Sequence, residues 1–335
     1  MSLQKISHFF DKIRGQNDKQ LEELRIRVRQ LAKTCSLQTD LSRENLVVFI
    51  QDIFSGITSW FALQEDQVDQ ILDQLRRSLE GHAFDMDVFI ACWEFWLRKD
   101  GTRKTALIVV DIQNDFITGS LALKNCPAGQ DGYEVVPIIN DILKQERFDL
   151  VVYTLDWHLP DHCSFIDNVS LYPLDPSSPV SAEDAKIYDT VIYSKPIVLK
   201  QKLWPSHCVQ NSWGSELHKD LKPPEKSTIV VKKGDLSYVD SYSAFWSNGH
   251  YCTTELFGIL LKHGITDVYV CGLALDYCVE FTSRDATQHG FNTFVVEDAC
   301  CFICEKMCGD TKMEFKKAGI KLMKKTDLKS HLKQS

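Results

Sequence analysis

Three side chains with complementary chemistry follow three apolar runs of this chain. TALIVV at 105–110 leads into Asp111, TIVV at 228–231 leads into Lys232, Lys233 and Gly234, and DVYVC at 267–271 leads through Gly272 to Cys278. Apolar runs of this length, rich in β-branched residues, predict buried strands. In open parallel sheets, ligands bind at the carboxyl ends of the strands. A carboxylate, an ammonium and a thiol thus fall at one such edge, with the thiol laid out as a nucleophile. Cys278 also opens a predicted helix through Val279, Phe281, Thr282 and Ala286, which stops at His289-Gly290, a glycine cap signal. A thiol there faces unpaired backbone N–H groups and the positive end of the helix dipole, which predicts a lowered pKa. The competing reading is a small buried packing residue, the commonest fate of a free cysteine.

These groups need a sheet to bring them together. Strands are expected near 105–110, 149–154, 228–232, 267–271, 293–297 and 319–322, with a tight turn at Gly272. Helices fall between them, including one over 253–263 capped by Gly264. The expected class is α/β, a Rossmann-like parallel sheet of about six strands flanked by helices, with a small all-α N-terminal domain. Residues 166–202 form a long insertion whose LYPLDPSSPVSAEDA stretch reads as too polar and proline-rich for core, and as a lining or lid of a pocket entrance. Cys300, Cys301, Cys304 and Cys308 follow the expected strand at 293–297. Their spacing does not fit a four-ligand zinc site, and they read as packing thiols.

Residues 1–98 contain no proline and space apolar residues helically, at Leu21, Leu24, Val28 and Leu31, then Val68, Ile71, Leu72, Leu75 and Leu79. The segment around Glu80-Gly81-His82 faintly resembles an EF-hand loop, in which Arg76, Ser78, Glu80 and Asp87 would fall on ligand positions. An arginine at the first position and an aspartate at the last break the calcium pattern, so no calcium is expected. The domain reading is a helical part at 1–98, a charged linker at 99–104 and a catalytic domain at 105–330.

A chain of 335 residues with 44% hydrophobic residues can bury a sizeable core, and a net charge of −8 offers no footprint for nucleic acid or an anionic membrane. No apolar run reaches membrane-span length, and MSLQKISHFF lacks a signal-peptide core. Twelve cysteines without a secretory signal point to a reducing compartment, the cytoplasm with the nucleus open.

VDIQNDF, DWH, WPSHC, the KKG turn followed by SYSAF, and GLALDYC occur in that order over roughly 104–325. Together they resemble the nicotinamidase/pyrazinamidase branch of the isochorismatase-like cysteine hydrolases. The resemblance implies a triad of Asp111, Lys233 and Cys278. It implies an oxyanion hole from the backbone N–H groups of Ala274 and Cys278, with a cis peptide between Leu273 and Ala274. It also implies a divalent metal that anchors the pyridine nitrogen of the substrate, zinc first, with iron and manganese as alternatives.

Asp156 and His158, two apart in an extended segment, share a side, and His207 supplies a third ligand. His162 is read either as a further ligand or as a loop histidine bonded locally. Isochorismatases proper resemble the same scaffold but lack this metal set. Phe116 and Trp204 match the aromatic pair around the ring, Gln113 a polar residue beside the triad, and Tyr242 a pocket wall. The implied reaction is deamidation of nicotinamide to nicotinate and ammonia through a cysteine thioester, in NAD salvage, by an amidohydrolase of linear amides. Two alternatives stand beside it, a different amidase of the superfamily and an inactive scaffold. A homo-oligomer or a protein partner would engage the N-terminal helical part.

Overall fold

The computed structural model describes residues 103–222 and 228–333, together with residues 24, 26–28, 30 and 31. The last group is helical, with Leu24 and Val28 buried. The EF-hand-like segment lies outside the described residues. Two compact units divide the chain: Met1–Arg103 with Phe257–Thr266 and Gln288–Gly290, and Lys104–Leu256 with Asp267–Thr287 and Phe291–Ser335. Among the described residues, no helix is long and apolar enough to cross a membrane.

In chain order the elements are β1 (Thr105–Val110), α1 (Asn114–Ile117), α2 (Val135–Gln145), β2 (Leu150–Asp156), β3 (Thr190–Tyr193), β4 (Leu199–Lys202), β5 (Thr228–Lys233), α3 (Leu256–Lys262), β6 (Asp267–Leu273), α4 (Cys278–Gln288), β7 (Asn292–Cys301), α5 (Glu305–Ala318), β8 (Lys321–Met323) and α6 (Lys325–Lys333). Six strands form one sheet in the order β5-β2-β1-β6-β7-β8, and every pairing is parallel. Helices α2 and α6 pack on β7, and α5 packs on β8. The central strands β1 and β6 are buried at every position, as expected of parallel strands covered on both faces.

The chain runs from β1 outward through β2 to β5, then crosses to β6 on the other side of β1. That reversal leaves a crevice at the carboxyl edge beside β1. β6 runs straight through Gly272, which the sequence reading places in a turn. Glycine is needed there because β1 lies too close: a Cβ would stand 2.1 Å from the Val110 carbonyl oxygen, and φ is +121°. The turn comes after Leu273. β7 is longer than expected and takes in Cys300 and Cys301. The expected helix at 253–263 narrows to α3, with Thr253 in an isolated bridge to Trp246.

The insertion departs most from expectation. Residues 190–193 and 199–202 pair as the antiparallel β3–β4, and Cys163, Val169, Val191, Tyr193, Leu199, Leu203 and Val239 form a buried cluster of their own. Tyr172, Leu174, Val180, Ala182 and Ala185 pack against that cluster. The stretch read as too polar for core therefore contributes its scattered apolar residues to a satellite core.

Candidate active site

Four neighbouring strands deliver the site. Asp111 stands just past β1, Asp156 ends β2, Lys233 ends β5 and Cys278 opens α4 after β6. Asp156 and Lys233 are direct register partners, so their side chains meet.

Lys233 is the centre of charge. Its Nζ lies 3.0 Å from Asp111 Oδ2, donates to the Ser241 carbonyl at 3.0 Å and to Cys278 Sγ at 3.3 Å, and is paired with Asp156. Burial would lower its pKa, but the two carboxylates outweigh that and hold it well above the ordinary lysine value. On Asp111, Oδ1 accepts the Thr154 hydroxyl at 2.5 Å, and the same hydroxyl accepts the Asp111 N–H at 3.2 Å. Oδ2 faces the Lys233 ammonium at 3.0 Å, with the Cys278 thiol in the same cluster. Burial raises the Asp111 pKa even with the Lys233 ammonium beside it.

The Cys278 thiol departs from the sequence expectation. Burial pushes its pKa well above the ordinary thiol value, outweighing Lys233, and the Asp111 carboxylate adds to the rise. The helix N-terminus is present, but the side chain is 7% exposed and sits beside two carboxylates. The resting nucleophile is a thiol with its base alongside. The Leu273–Ala274 peptide is cis. The Ala274 carbonyl accepts the Tyr277 and Val279 N–H groups at 3.0 and 3.1 Å, which closes the turn carrying Cys278.

The second constellation adjoins the first. Asp156, His158 and His207 bring their ligand atoms within 4.8 Å of one another, all buried. Asp156 Oδ2 lies 3.6 Å from His158 Nε2 and 3.8 Å from His207 Nε2. Each imidazole turns Nδ1 to a backbone carbonyl, His158 to Gly234 and His207 to Pro205, both at 2.8 Å. A carbonyl can only accept, so Nδ1 carries a proton on each ring, and Nε2 is the nitrogen turned toward Asp156. Gly234 is required here: φ is +69°, and a Cβ would stand 2.5 Å from the His158 ring. Burial works against ionised Asp156, yet Lys233 and His158 hold its pKa well below the ordinary carboxylate range.

A cavity with about 390 Å³ of space, open solvent included, lies between the two constellations. Phe116 and Trp204 line it, as do Tyr242, Tyr277, Asp156, His207, Ala274 and Cys278. Trp204 Nε1 donates to the Tyr242 hydroxyl at 3.3 Å, and the Trp204 and Tyr277 rings meet edge-on at 4.9 Å.

Residues 105–329 match the model of the isochorismatase domain. The chain belongs to the isochorismatase family. Among curated relatives, a nicotinamidase of Acinetobacter baylyi is 38% identical over 210 residues, covering 61% of this chain and 84% of the relative. Among solved structures, an Acinetobacter baumanii nicotinamidase superposes with a TM-score of 0.57 at 34% identity, covering 68% of this chain and 100% of the other. The yeast nicotinamidase Pnc1p bound to the inhibitor nicotinaldehyde gives 0.57 at 31% identity, covering 66% and 99%.

Within this isochorismatase-family framework, Asp111, Lys233 and Cys278 meet one another, Asp156, His158 and His207 meet one another, and Phe116, Trp204 and Tyr242 line the cavity. Gln113 does not. It is fully buried behind Asp156, where its amide accepts the Asp156 N–H at 2.9 Å and donates to the Asp156 and Ser215 carbonyls at 2.8 and 2.9 Å. Asp111 has positive φ, and beyond it the chain turns back toward the loop at 213–216. Gln113 thus fixes the backbone of a ligand residue and makes no contact with the cavity.

His162 is buried 4.1 Å from His158, ring to ring, with Nδ1 2.7 Å from Ser164 Oγ and, among the described residues, no well-aligned partner on Nε2. Burial lowers its pKa well below the ordinary value. A neutral imidazole with a buried nitrogen lacking a well-aligned partner beside a carboxylate–diimidazole set is the surrounding expected of a bound cation. The donors fit a divalent metal.

Thr154, Tyr277, Asp240 and Ile303 were not singled out from the sequence. Thr154 lies one residue beyond the last register pair of β1 and β2, so its neighbourhood to Asp111 could be read only from the pairing.

Proposed function

We propose that this protein hydrolyses nicotinamide to nicotinate and ammonia through a thioester on Cys278, supplying nicotinate to pyridine-nucleotide salvage. One observation carries the reading: Cys278, clustered with Asp111 and Lys233, and Asp156 and His207 of the donor set line one cavity walled by Phe116 and Trp204.

Asp111 Oδ2 takes the Cys278 proton as Sγ attacks the carboxamide carbon. Lys233, paired with Asp111 and in contact with Sγ, stabilises the charge that develops during transfer. The tetrahedral oxyanion is held by the N–H groups of Ala274 and Cys278, donors fixed in place before the reaction and worth several kcal/mol in comparable sites. Asp111 then gives its proton to the departing ammonia, leaving the acyl group on sulfur. A water, deprotonated by the same carboxylate, cleaves the thioester and restores the thiol. The flat ring lies between Phe116 and Trp204, and Tyr242 closes the wall.

Asp156, His158 and His207 would hold a divalent metal, with His162 beside them. Zinc suits this oxygen–nitrogen set, and iron and manganese are the alternatives. When bound, the ion supplies a Lewis-acidic anchor for a ring nitrogen. The helical part at 1–98, joined through 99–104, is proposed as a separate assembly or packing module.

Metal-replete full-length protein should release ammonia and nicotinate from nicotinamide in equal amounts. Protein that holds a divalent ion and an alkylatable Cys278 but releases neither overturns nicotinamide as the substrate and points to another amide.

A further inference from the structure

Asp115 is buried, four residues past the proposed base, and has no part in the steps above. Its Oδ2 accepts the Cys208 N–H at 2.7 Å and its Oδ1 the Ser120 N–H at 3.0 Å. Two glycines make room for the carboxylate. A Cβ on Gly214 would stand 2.0 Å from Oδ2, and one on Gly119 would stand 2.1 Å from Oδ1. Asp115 lies in the first turn of the four-residue α1. A helix-dipole role does not describe it, because both of its oxygens are engaged by N–H groups outside that helix.

The residue it holds is the link between two metal ligands. Cys208 directly follows His207, and its carbonyl accepts the His158 N–H at 3.1 Å. Its φ is +47°, a left-handed conformation that residues with a Cβ rarely adopt. Something must hold it there. A hydrogen bond from a backbone N–H to a buried carboxylate is among the stronger kinds available.

We propose that Asp115 is a positioning residue for the divalent-metal donor set. By fixing Cys208 in its left-handed conformation, the carboxylate sets the His207 loop and the His158 backbone together around Asp156. The role rests on the reading that Asp156, His158 and His207 hold an ion.

The test titrates Co²⁺ into chelator-stripped full-length protein and follows binding by visible absorption, with thermal unfolding of each apoprotein alongside. Asp115→Asn keeps the volume but replaces one acceptor oxygen with a donor that faces an N–H. Asp115→Ser keeps a small acceptor in the same cradle and carries the test if the asparagine variant does not fold. Wild-type protein should bind one Co²⁺. Asp115→Asn should bind it about 10- to 100-fold more weakly, the range for groups that orient metal ligands, with an altered absorption spectrum and an unfolding transition near that of the wild type. Wild-type Co²⁺ affinity and spectrum in both variants would overturn the positioning role alone. Loss of affinity only alongside a collapsed unfolding transition in both variants would also overturn it, reducing Asp115 to a fold residue. A wild-type protein that takes up no Co²⁺ sinks the donor-set reading, and this role with it.

Discussion

Asp111, just past β1, and Asp156, ending β2, face the same Lys233 ammonium, yet their surroundings drive their proton affinities apart. Asp111 is fully enclosed, and burial raises its pKa despite the ammonium and the Thr154 hydroxyl beside it. Asp156 has the ammonium and two imidazole Nε2 atoms around it and is held low. A carboxylate whose proton affinity is raised can serve as a base. One whose affinity is depressed remains a ligand. Residue type and strand-end position are shared, and the difference lies in the partners that neighbouring strands bring.

Removing the nucleophile separates the two sides most sharply. Cys278→Ala should lower kcat on nicotinamide by on the order of 10⁴-fold or more, while Co²⁺ binding at the donor side stays at the wild-type level. Retained turnover in that variant would end the covalent mechanism.

Lys233→Met removes the ion that both sides share and leaves two buried carboxylates without their cation. Breaking a buried pair in this way costs about 3–5 kcal/mol, which denaturant unfolding should register as a lowered midpoint with an unchanged slope. A midpoint equal to wild type would mean that the ammonium is not the common support of the two carboxylates.

The pH profile tests the triad side alone. Asp111 acts as a base only when ionised, and its pKa is raised from the ordinary 3.8. The acid limb of kcat/KM should therefore rise through a midpoint above that value. Cys278 must start protonated, and its pKa lies above the ordinary 9.0, so alkaline loss should begin beyond it. An acid midpoint at or below 3.8 contradicts Asp111 as the base.

The smallest effect is expected from Thr154→Val, which removes one hydrogen bond to the ionised base. A loss of about tenfold in kcat/KM corresponds to the roughly 0.5–1.5 kcal/mol that such a bond contributes. Without that donor the Asp111 pKa should climb further, moving the acid limb upward. A rate loss with an unmoved limb would make Thr154 a packing residue.

Most of the sheet was legible because β1, β2, β6 and β7 are runs rich in apolar and β-branched residues, whereas the edge strand β5 exposes most of its positions and was legible by composition alone. β3 and β4 were not, since TVIY and LKQK lie in a proline- and serine-rich stretch, bury alternate residues, and find their core only with Cys163 and Val239 from flanking loops. The motif residues of both constellations could be picked out by type and spacing. Their electrostatics could not. The helix N-terminus at Cys278 is visible in sequence, while the burial that reverses its effect depends on Tyr242, Tyr277 and the strands around it. Gln113 shows the same limit, because its neighbour Asp111 suggests a site residue whereas its amide is spent on the Asp156 backbone.

The shared ammonium also makes the cavity a thermodynamically linked pair of binding equilibria. A cation held at Asp156 Oδ2, as proposed, would weaken the pull of that carboxylate on Lys233, which contacts it through Oδ1, and so favour ionised Asp111. By reciprocity, a proton arriving on Asp111 must change the affinity of the donor set by the same factor. On the proposed reading, metal loading and base strength would be one adjustable quantity read at two sites.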